Sequence, residues 1–483
     1  MFTELRIGNF KGFKSNHVIP LSRITLIFGP NSSGKSAILQ SLLLLEQSAR
    51  MATNSSSPLT FVGREIDLGG FAAAINSHDQ NLELKLGATY LTENIIQKLH
   101  AHDGNESTEL DLERKWESFD LIVNGGNGHP YLREFQYDVQ SDVDRRAYFI
   151  VDDISNEENR LKFSDTYPSN RTIVRSLISD ETDQTTESDV EKAFDAIQTV
   201  EINRMGFLPY IQPSQSRFEG GFNPNLLLKA KSREDNQIES ESLAHLWYGM
   251  IQGRHSSTAR NLARIDHLGP LRMILDRVET ARPGSTNDVG AAGERAIDVL
   301  LRHPERVELV NDWLQKLGVP YSVEPLRLTP SELPQVGDIQ TLVLRDRRTG
   351  TIQSPKDVGV GVSQLIPLII RCVQSTNRVL LVEQPELHLH PAVQSEIADL
   401  IIEFSDEQKG NQILVETHSE HLLLRLQRRI REGLISAADI CVLYVHADND
   451  GSHCQQLQLD ENGEFIDEWP NGFFEERIRE IIG

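Results

Sequence analysis

The run Gly29, Pro30, Asn31, Ser32, Ser33, Gly34, Lys35, Ser36 constrains this chain more than any other feature. Its spacing is that of a Walker A loop, and it stands between the apolar, strand-like Ile24 to Phe28 and the strongly apolar, helix-patterned Ser36 to Gln47. Strand, glycine-containing loop and helix make one unit. The glycines let the backbone wrap phosphates, and the amides and helix N-terminus face the anion. Lys35 is placed to reach β and γ phosphates and the Ser36 hydroxyl to bind Mg²⁺, so ATP and Mg²⁺ are the expected ligands. A chance turn would require neither flank.

A phosphate loop of this kind works beside a second strand that ends in a carboxylate. Arg378 to Glu386 supplies it: the apolar Val379 to Val382 runs into Glu383, which is expected to hold the Mg²⁺ directly or through water. Taken alone, an apolar run ending in Glu is also how an ordinary strand reaches solvent. The pairing with the Walker A loop favours the nucleotide reading. Roughly 350 residues separate the two motifs, whereas neighbouring strands are usually joined by short connections. Most of the intervening sequence is therefore additional structure, and the site is assembled from both ends of the chain.

The organisation along the 483 residues fits that arrangement. Leu5 to Phe10 reads as a further strand. Between Phe61 and Val151, short alternating segments such as Leu82 to Leu86 and Phe119 to Val123 point to an antiparallel sheet. Ser179 to Asp189 and Pro213 to Pro224 have the composition of solvated connections. Leu243 to Gly253, Gly293 to Leu301 and Val307 to Leu317 are amphipathic at helical spacing but sustain no coiled-coil heptads. The α/β pattern returns with strand-like Thr341 to Arg345, helix-like Ser363 to Gln374 and strand-like Gln412 to Glu416. The tail reads as two strands, Ile440 to His446 and Cys454 to Leu459, joined by the turn Asn449, Asp450, Gly451.

Composition narrows the partners. With 48 basic against 71 acidic residues the net charge is −23, so the whole molecule presents no positive field to nucleic acid and any DNA contact is local. The candidate patch is Arg425, Arg428, Arg429 and Arg431 on a helix-like stretch, which in so acidic a chain reads more readily as a solvated helix face. The three cysteines, Cys372, Cys441 and Cys454, form no disulfide framework or metal knuckle. Met1 to Phe10 alternates in polarity, unlike a leader, and no apolar run approaches the roughly 18 residues of a membrane helix. A cytoplasmic protein with no membrane partner is expected.

Further motifs give the chain a family resemblance. Ile7, Gly8, Asn9, Phe10, Lys11, Gly12, Phe13 precedes the Walker A loop; Leu387, His388, Leu389, His390, Pro391 follows Glu386; and Gln412 to Glu416 runs into Thr417, His418, Ser419. The chain resembles the ABC-type ATPases of the SMC-like and OLD-like (overcoming lysogenization defect) group over Met1 to Met51 and Pro355 to Leu424. The resemblance implies an α/β fold: a bipartite P-loop ABC-type ATPase head with an antiparallel β lobe and a compact, mainly helical insertion. It divides the chain into an N-terminal lobe (1–165), the insertion (166–330), a C-terminal lobe (331–435) and a short hairpin and helix tail (436–483).

By the same resemblance the cofactor is held by Gly29 to Ser36 with Ala37, and His418 senses the γ-phosphate. Gly359, Val360, Gly361, Val362, Ser363, Gln364 resembles the signature segment that covers the γ-phosphate of a partner subunit, so Gly361, Ser363 and Gln364 imply an ATP-dependent homodimer. A Gly-rich turn with Ser363 capping a helix is the plainer reading of those residues. Gln384 occupies the place where many relatives carry the glutamate that activates water, and an amide orients water without taking its proton. Lys35, Glu383, Gln384 and His418 are the expected catalytic set, with slow turnover or a scaffold that does not hydrolyse ATP as the two outcomes of Gln384.

The pairs His388/His390 and His418/His421 lack a third ligand at metal-site spacing, and Asp448, Asp450 and Asp460 read as turn residues. Leu268 to Arg272 resembles a recurring segment of the group; Arg272 either approaches the nucleotide or dimer interface or forms a surface ion pair. OLD-like relatives often carry a Toprim nuclease, but only about 60 residues follow Leu424, short of a further domain. The tail resembles a short domain of uncharacterised function through Trp469, Pro470, Asn471, Gly472, Phe473, Phe474. The expected function is a dimeric ATPase that acts on DNA or controls a separately encoded effector such as a nuclease or toxin, in antiphage defence or genome maintenance.

Overall fold

The described residues sort into two units, one built on an antiparallel sheet and one on a parallel α/β layer. The computed structural model describes residues 1–50, 57–102, 105–126, 129–141, 146–155, 160–163, 191, 202–205, 208–210, 253, 255–280, 288–328 and 339–470. The expected connections Ser179 to Asp189 and Pro213 to Pro224 lie outside these residues, as do all but the last residue of Leu243 to Gly253 and the segment Asn471 to Phe474. One unit comprises Met1–Ile19 with Gln40–Ala263, the other Pro20–Leu39 with Arg264–Gly483. These two units cut across the lobes, insertion and tail expected from sequence.

The first unit is built on a nine-stranded sheet. From one edge it runs Leu208–Tyr210, Ile202–Met205, Arg160–Phe163, Arg146–Ser155, Tyr131–Ser141, Asn105–Asn124, Glu83–His102, Phe2–Gly8 and His17–Pro20, and its ladders from Phe2–Gly8 to Leu208–Tyr210 are antiparallel. Glu83–His102 and Asn105–Asn124 pair along twenty residues each, far longer than the short segments expected. The backbone ladder between the two strands continues beyond Tyr90, where the apolar alternation fades. Beneath the sheet Glu117 is a buried carboxylate that accepts from Tyr90 Oη at 3.1 Å, Ser257 Oγ at 2.6 Å, Thr92 Oγ1 at 3.2 Å and the Tyr137 hydroxyl. Four hydroxyls replace the lost hydration, which is the condition for burying a charge.

The second unit is an α/β layer around a six-stranded sheet in the order Ile265–Leu268, Val379–Glu383, Gln412–Glu416, Ile24–Phe28, Ile440–Asp448, Gly451–Leu457. The first five strands are parallel and the last closes an antiparallel hairpin. Ile24–Phe28 and Gln412–Glu416 are buried at every position, as expected of parallel strands covered on both faces. Helices Pro304–Lys316, Val360–Gln374, Pro391–Phe404 and Glu420–Arg431 contribute Trp313, Ile369, Ile401 and Leu426 to the core. A small antiparallel sheet of Glu279–Thr280, Ile339–Asp346, Tyr321–Leu328 and Ile352–Gln353 adds to the unit. The described residues of 166–330 thus hold strands of both large sheets alongside helices.

The tail is tied to the sheet by aromatic contacts. The Trp469 ring lies 5.7 Å from Phe28, 6.1 Å from Tyr444 and 5.0 Å from Phe465, each edge to face. Phe28 is the residue immediately before the Walker A loop. Trp469→Ala is expected to destabilise the protein by ~2 kcal/mol, below the full cost of a core tryptophan because the side chain is only half-buried, and urea unfolding measures it. No described helix is long and apolar enough to cross a membrane.

Candidate nucleotide site

Parallel pairing fixes where the motifs emerge. Glu383 is in register with Glu416, and Glu416 with Ile27, so the loops after Phe28, Glu383 and Glu416 leave the same edge of the sheet. Ligands of open α/β sheets bind at such carboxyl ends. The Walker A loop needs unusual backbone to turn there: Gly29, Ser32 and Gly34 have φ of 145°, 62° and 108°. Ala37 N donates to Gly34 O at 3.1 Å as the helix Lys35–Arg50 begins. The loop leaves Ser33 Oγ buried with no hydrogen-bond partner.

Lys35 is buried, and its ammonium donates to the carbonyls of Gly29 at 2.9 Å and Pro30 at 2.7 Å. Burial lowers its pKa, while Glu416 and Glu386 pull the other way. Ser36 Oγ donates to Glu416 Oε2 at 2.7 Å. Burial raises the Glu416 carboxyl above the ordinary range against the opposing Ser36 bond, with Glu383 adding to the rise. Glu383 itself meets His267 Nε2 at 2.7 Å. A hydroxyl oxygen beside strand-end carboxylates is the kind of donor set a hard cation such as Mg²⁺ takes, and the orphaned Ser33 hydroxyl and the loop amides suit phosphate.

The loops beyond the strands lock onto one another. Gln384 has φ 44° and its N–H donates to Glu416 O at 2.7 Å, so the left-handed residue is held by the neighbouring strand. Glu386 Oε1 accepts from His418 N at 2.7 Å, and burial raises the Glu386 pKa. Burial and then Lys35 lower that of the His418 imidazole. His390 Nδ1 accepts from Ala392 N at 3.2 Å and Ser419 Oγ from Leu422 N at 3.2 Å, which makes both residues N-caps. Among the described residues no group of three or more His, Cys, Asp or Glu is placed to hold a metal.

The signature segment departs from expectation. Its helix starts at Val360 rather than Ser363, and the earlier start turns Ser363 and Gln364 into the core. Ser363 Oγ donates to Pro355 O at 3.1 Å and Gln364 Nε2 to Arg272 O at 2.7 Å, so both side chains are engaged inside the chain. Of the segment only Gly359 and Val360 are exposed, and Gly361 packs so closely that a Cβ there would lie 2.6 Å from the His388 carbonyl. Arg272 is likewise no surface ion pair. It is buried, donates from Nη2 to Glu383 O at 2.9 Å, and is pushed down to about 10 by burial against the pull of Glu386 and Glu383.

The arginine patch is also corrected. Arg425 pairs with Glu396, Arg428 with Glu432 at 2.7 Å, Arg429 with Asp399 at 2.6 Å and Arg431 with Glu464 at 2.8 Å, so the charges are matched along the helix rather than offered to phosphate. Asp448 and Asp460 accept from the Asp450 and Asn462 amides and act as turn residues. Sequence reading missed Glu416, although it closes an apolar strand as Glu383 does. His267 offered no signal, because its partner is remote in sequence.

A family model described as "AAA domain, putative AbiEii toxin, Type IV TA system" matches residues 24–425, and one described as "Protein of unknown function (DUF3696)" matches residues 435–481. A search of curated proteins finds no match. Among solved structures the chain is similar to the Smc head bound to the C-winged helix domain of ScpA, at 13% identity and TM-score 0.35 over 95% of this chain and 98% of that one. It is similar to the Smc head with an extended coiled coil bound to the C-terminal domain of ScpA derived from Pyrococcus furiosus, at 14% identity and TM-score 0.36 over 100% and 99%. The SMC head domain from Thermotoga maritima matches at 12% identity and TM-score 0.33 over 95% and 99%. These overlaps are too loose to add to the fold that strand order and loop geometry define.

Proposed function

The chain belongs to the AAA domain family whose model spans residues 24–425, and from that premise we propose that it is an ATP-driven dimer controlling a separately encoded effector. The observation that carries the nucleotide half is the Walker A loop, with Lys35 at its end and Ser36 bonded to a strand-end carboxylate at 2.7 Å. In this reading Gly29 to Ala37 hold the phosphates, Ser36 serves the Mg²⁺ with a strand-end carboxylate, and Gln384 and His418 stand where water and γ-phosphate are read. Mg²⁺ supplies charge neutralisation at the phosphates. Lys35 exchanges its two loop carbonyls for phosphate oxygens, which removes no hydrogen bond without replacing it.

Closure brings the N-terminus of the helix Val360–Gln374 of one copy towards the nucleotide of the other. The effector is a nuclease or toxin and the setting antiphage defence or genome maintenance in the cytoplasm, a reading supported by the toxin–antitoxin wording of the family description. DNA as a direct ligand has less support, since the candidate arginines are paired. Gln384 favours a second reading, a scaffold in which ATP holds an oligomer together without being consumed.

Light scattering with and without ATP·Mg²⁺, with phosphate release from the same samples, tests both. ATP-driven assembly with phosphate release that Lys35→Ala abolishes is the expected result. Assembly without release selects the scaffold, and no change in mass overturns the dimer.

A further inference from the structure

Two neighbouring parallel strands end in carboxylates at the same level, Glu383 and Glu416. The Walker B pattern assigns the cation to the first. The side chains are arranged otherwise: Glu383 Oε1 is engaged by His267 Nε2 at 2.7 Å and the Glu383 carbonyl by Arg272, whereas Glu416 Oε2 accepts the proton of Ser36 Oγ at 2.7 Å. A hydroxyl that donates to a carboxylate keeps its lone pairs for a cation, and the donation orients them. Glu416 is 4% exposed and lies next to Lys35, so its charge acts in a shielded site where a cation is the natural counterpart. Resting on the nucleotide reading above, we propose that Glu416, not Glu383, is the carboxylate that gathers the nucleotide-bound divalent cation with Ser36.

The chemistry involves no covalent step. Glu416 supplies an anionic oxygen beside Ser36, and Glu383, held by His267 and Arg272, positions the strand end. The test is equilibrium binding of a fluorescent ATP analogue to the full chain in Mg²⁺ and in EDTA, which needs no turnover. Wild type is expected to bind more tightly in Mg²⁺. Glu416→Gln keeps an acceptor for Ser36 and should lose that tightening by about tenfold or more, the range seen when groups around a metal are altered. It should also bind metal-free nucleotide slightly more tightly, because one negative charge near the phosphates is gone.

Glu383→Gln is expected to keep the tightening within about threefold. Manganese bound to the nucleotide complex, counted by electron paramagnetic resonance, should fall in Glu416→Gln and persist in Glu383→Gln. A Glu416→Gln variant that keeps the wild-type Mg²⁺ effect, or a Glu383→Gln variant that loses it, overturns the proposal. Absence of nucleotide binding by wild type in either condition instead overturns the nucleotide reading itself.

Discussion

Gly29→Ala is expected to cost ~3 kcal/mol or more of stability and to abolish nucleotide binding. Gly29 has φ +145°, and a Cβ on its backbone would lie 2.0 Å from the Val445 carbonyl oxygen and 3.0 Å from Ser33 Oγ. The first obstacle is backbone in the middle of the strand Ile440–Asp448, whose Tyr444 is in register with Phe28. That strand is paired on both sides, parallel with Ile24–Phe28 and antiparallel with Gly451–Leu457, and cannot step aside without breaking a ladder. Relief would have to come from the loop, and moving it displaces the amides meant for phosphate. Gly359→Ala is the control: nothing lies within 4 Å of its Cβ and its φ is −58°, so stability should stay within ~0.5 kcal/mol. Urea unfolding and binding of a fluorescent ATP analogue measure both. A Gly29→Ala protein of wild-type stability would mean that the loop does not rest on Val445.

What could be read from sequence follows the range of the forces involved. Ile24 to Phe28 and Gln412 to Glu416 were legible because a strand buried on both faces must be apolar throughout, and their bounds are those observed. The twenty-residue strands were legible only in part, at Leu82 to Leu86 and Phe119 to Val123, where apolar residues alternate; the rest of the ladder is a backbone pairing that sequence pattern does not mark. Within the site, local chemistry marked Lys35 and Ser36. The orientation of Ser363 depended on where its helix begins, three residues upstream, and Gly359 caps that helix with no side-chain bond to mark the start. Partnerships such as Glu117 with Ser257 or Glu383 with His267 span more than 100 residues, and only the fold creates them.

Arg272 joins three of these elements, and its replacement makes the second large prediction. Its own N–H donates to Gln364 Oε1 at 3.2 Å, and its Nη2 donates to the Glu383 carbonyl at 2.9 Å. It also offsets the buried charge of Glu386, whose Oε2 has no hydrogen-bond partner. Arg272→Met fills the volume but leaves that charge uncompensated, at an expected cost of ~3 kcal/mol at neutral pH. The cost should depend on pH with a definite sign. Burial raises the folded-state pKa of Glu386, so the folded chain holds this proton longer than the unfolded one, and stability falls as pH climbs from the ordinary carboxylate range through the folded value. Removing Arg272 raises that value further. The variant should therefore lose more relative to wild type at pH 8 than at pH 5, while the Arg272 titration, near 10, contributes equally at both. Adding Glu386→Gln should restore much of the loss and flatten the pH dependence. Urea unfolding of the single and double variants at the two pH values decides it: an equal deficit at both, unrelieved by Glu386→Gln, would place the role of Arg272 in packing against Gln364 rather than in charge.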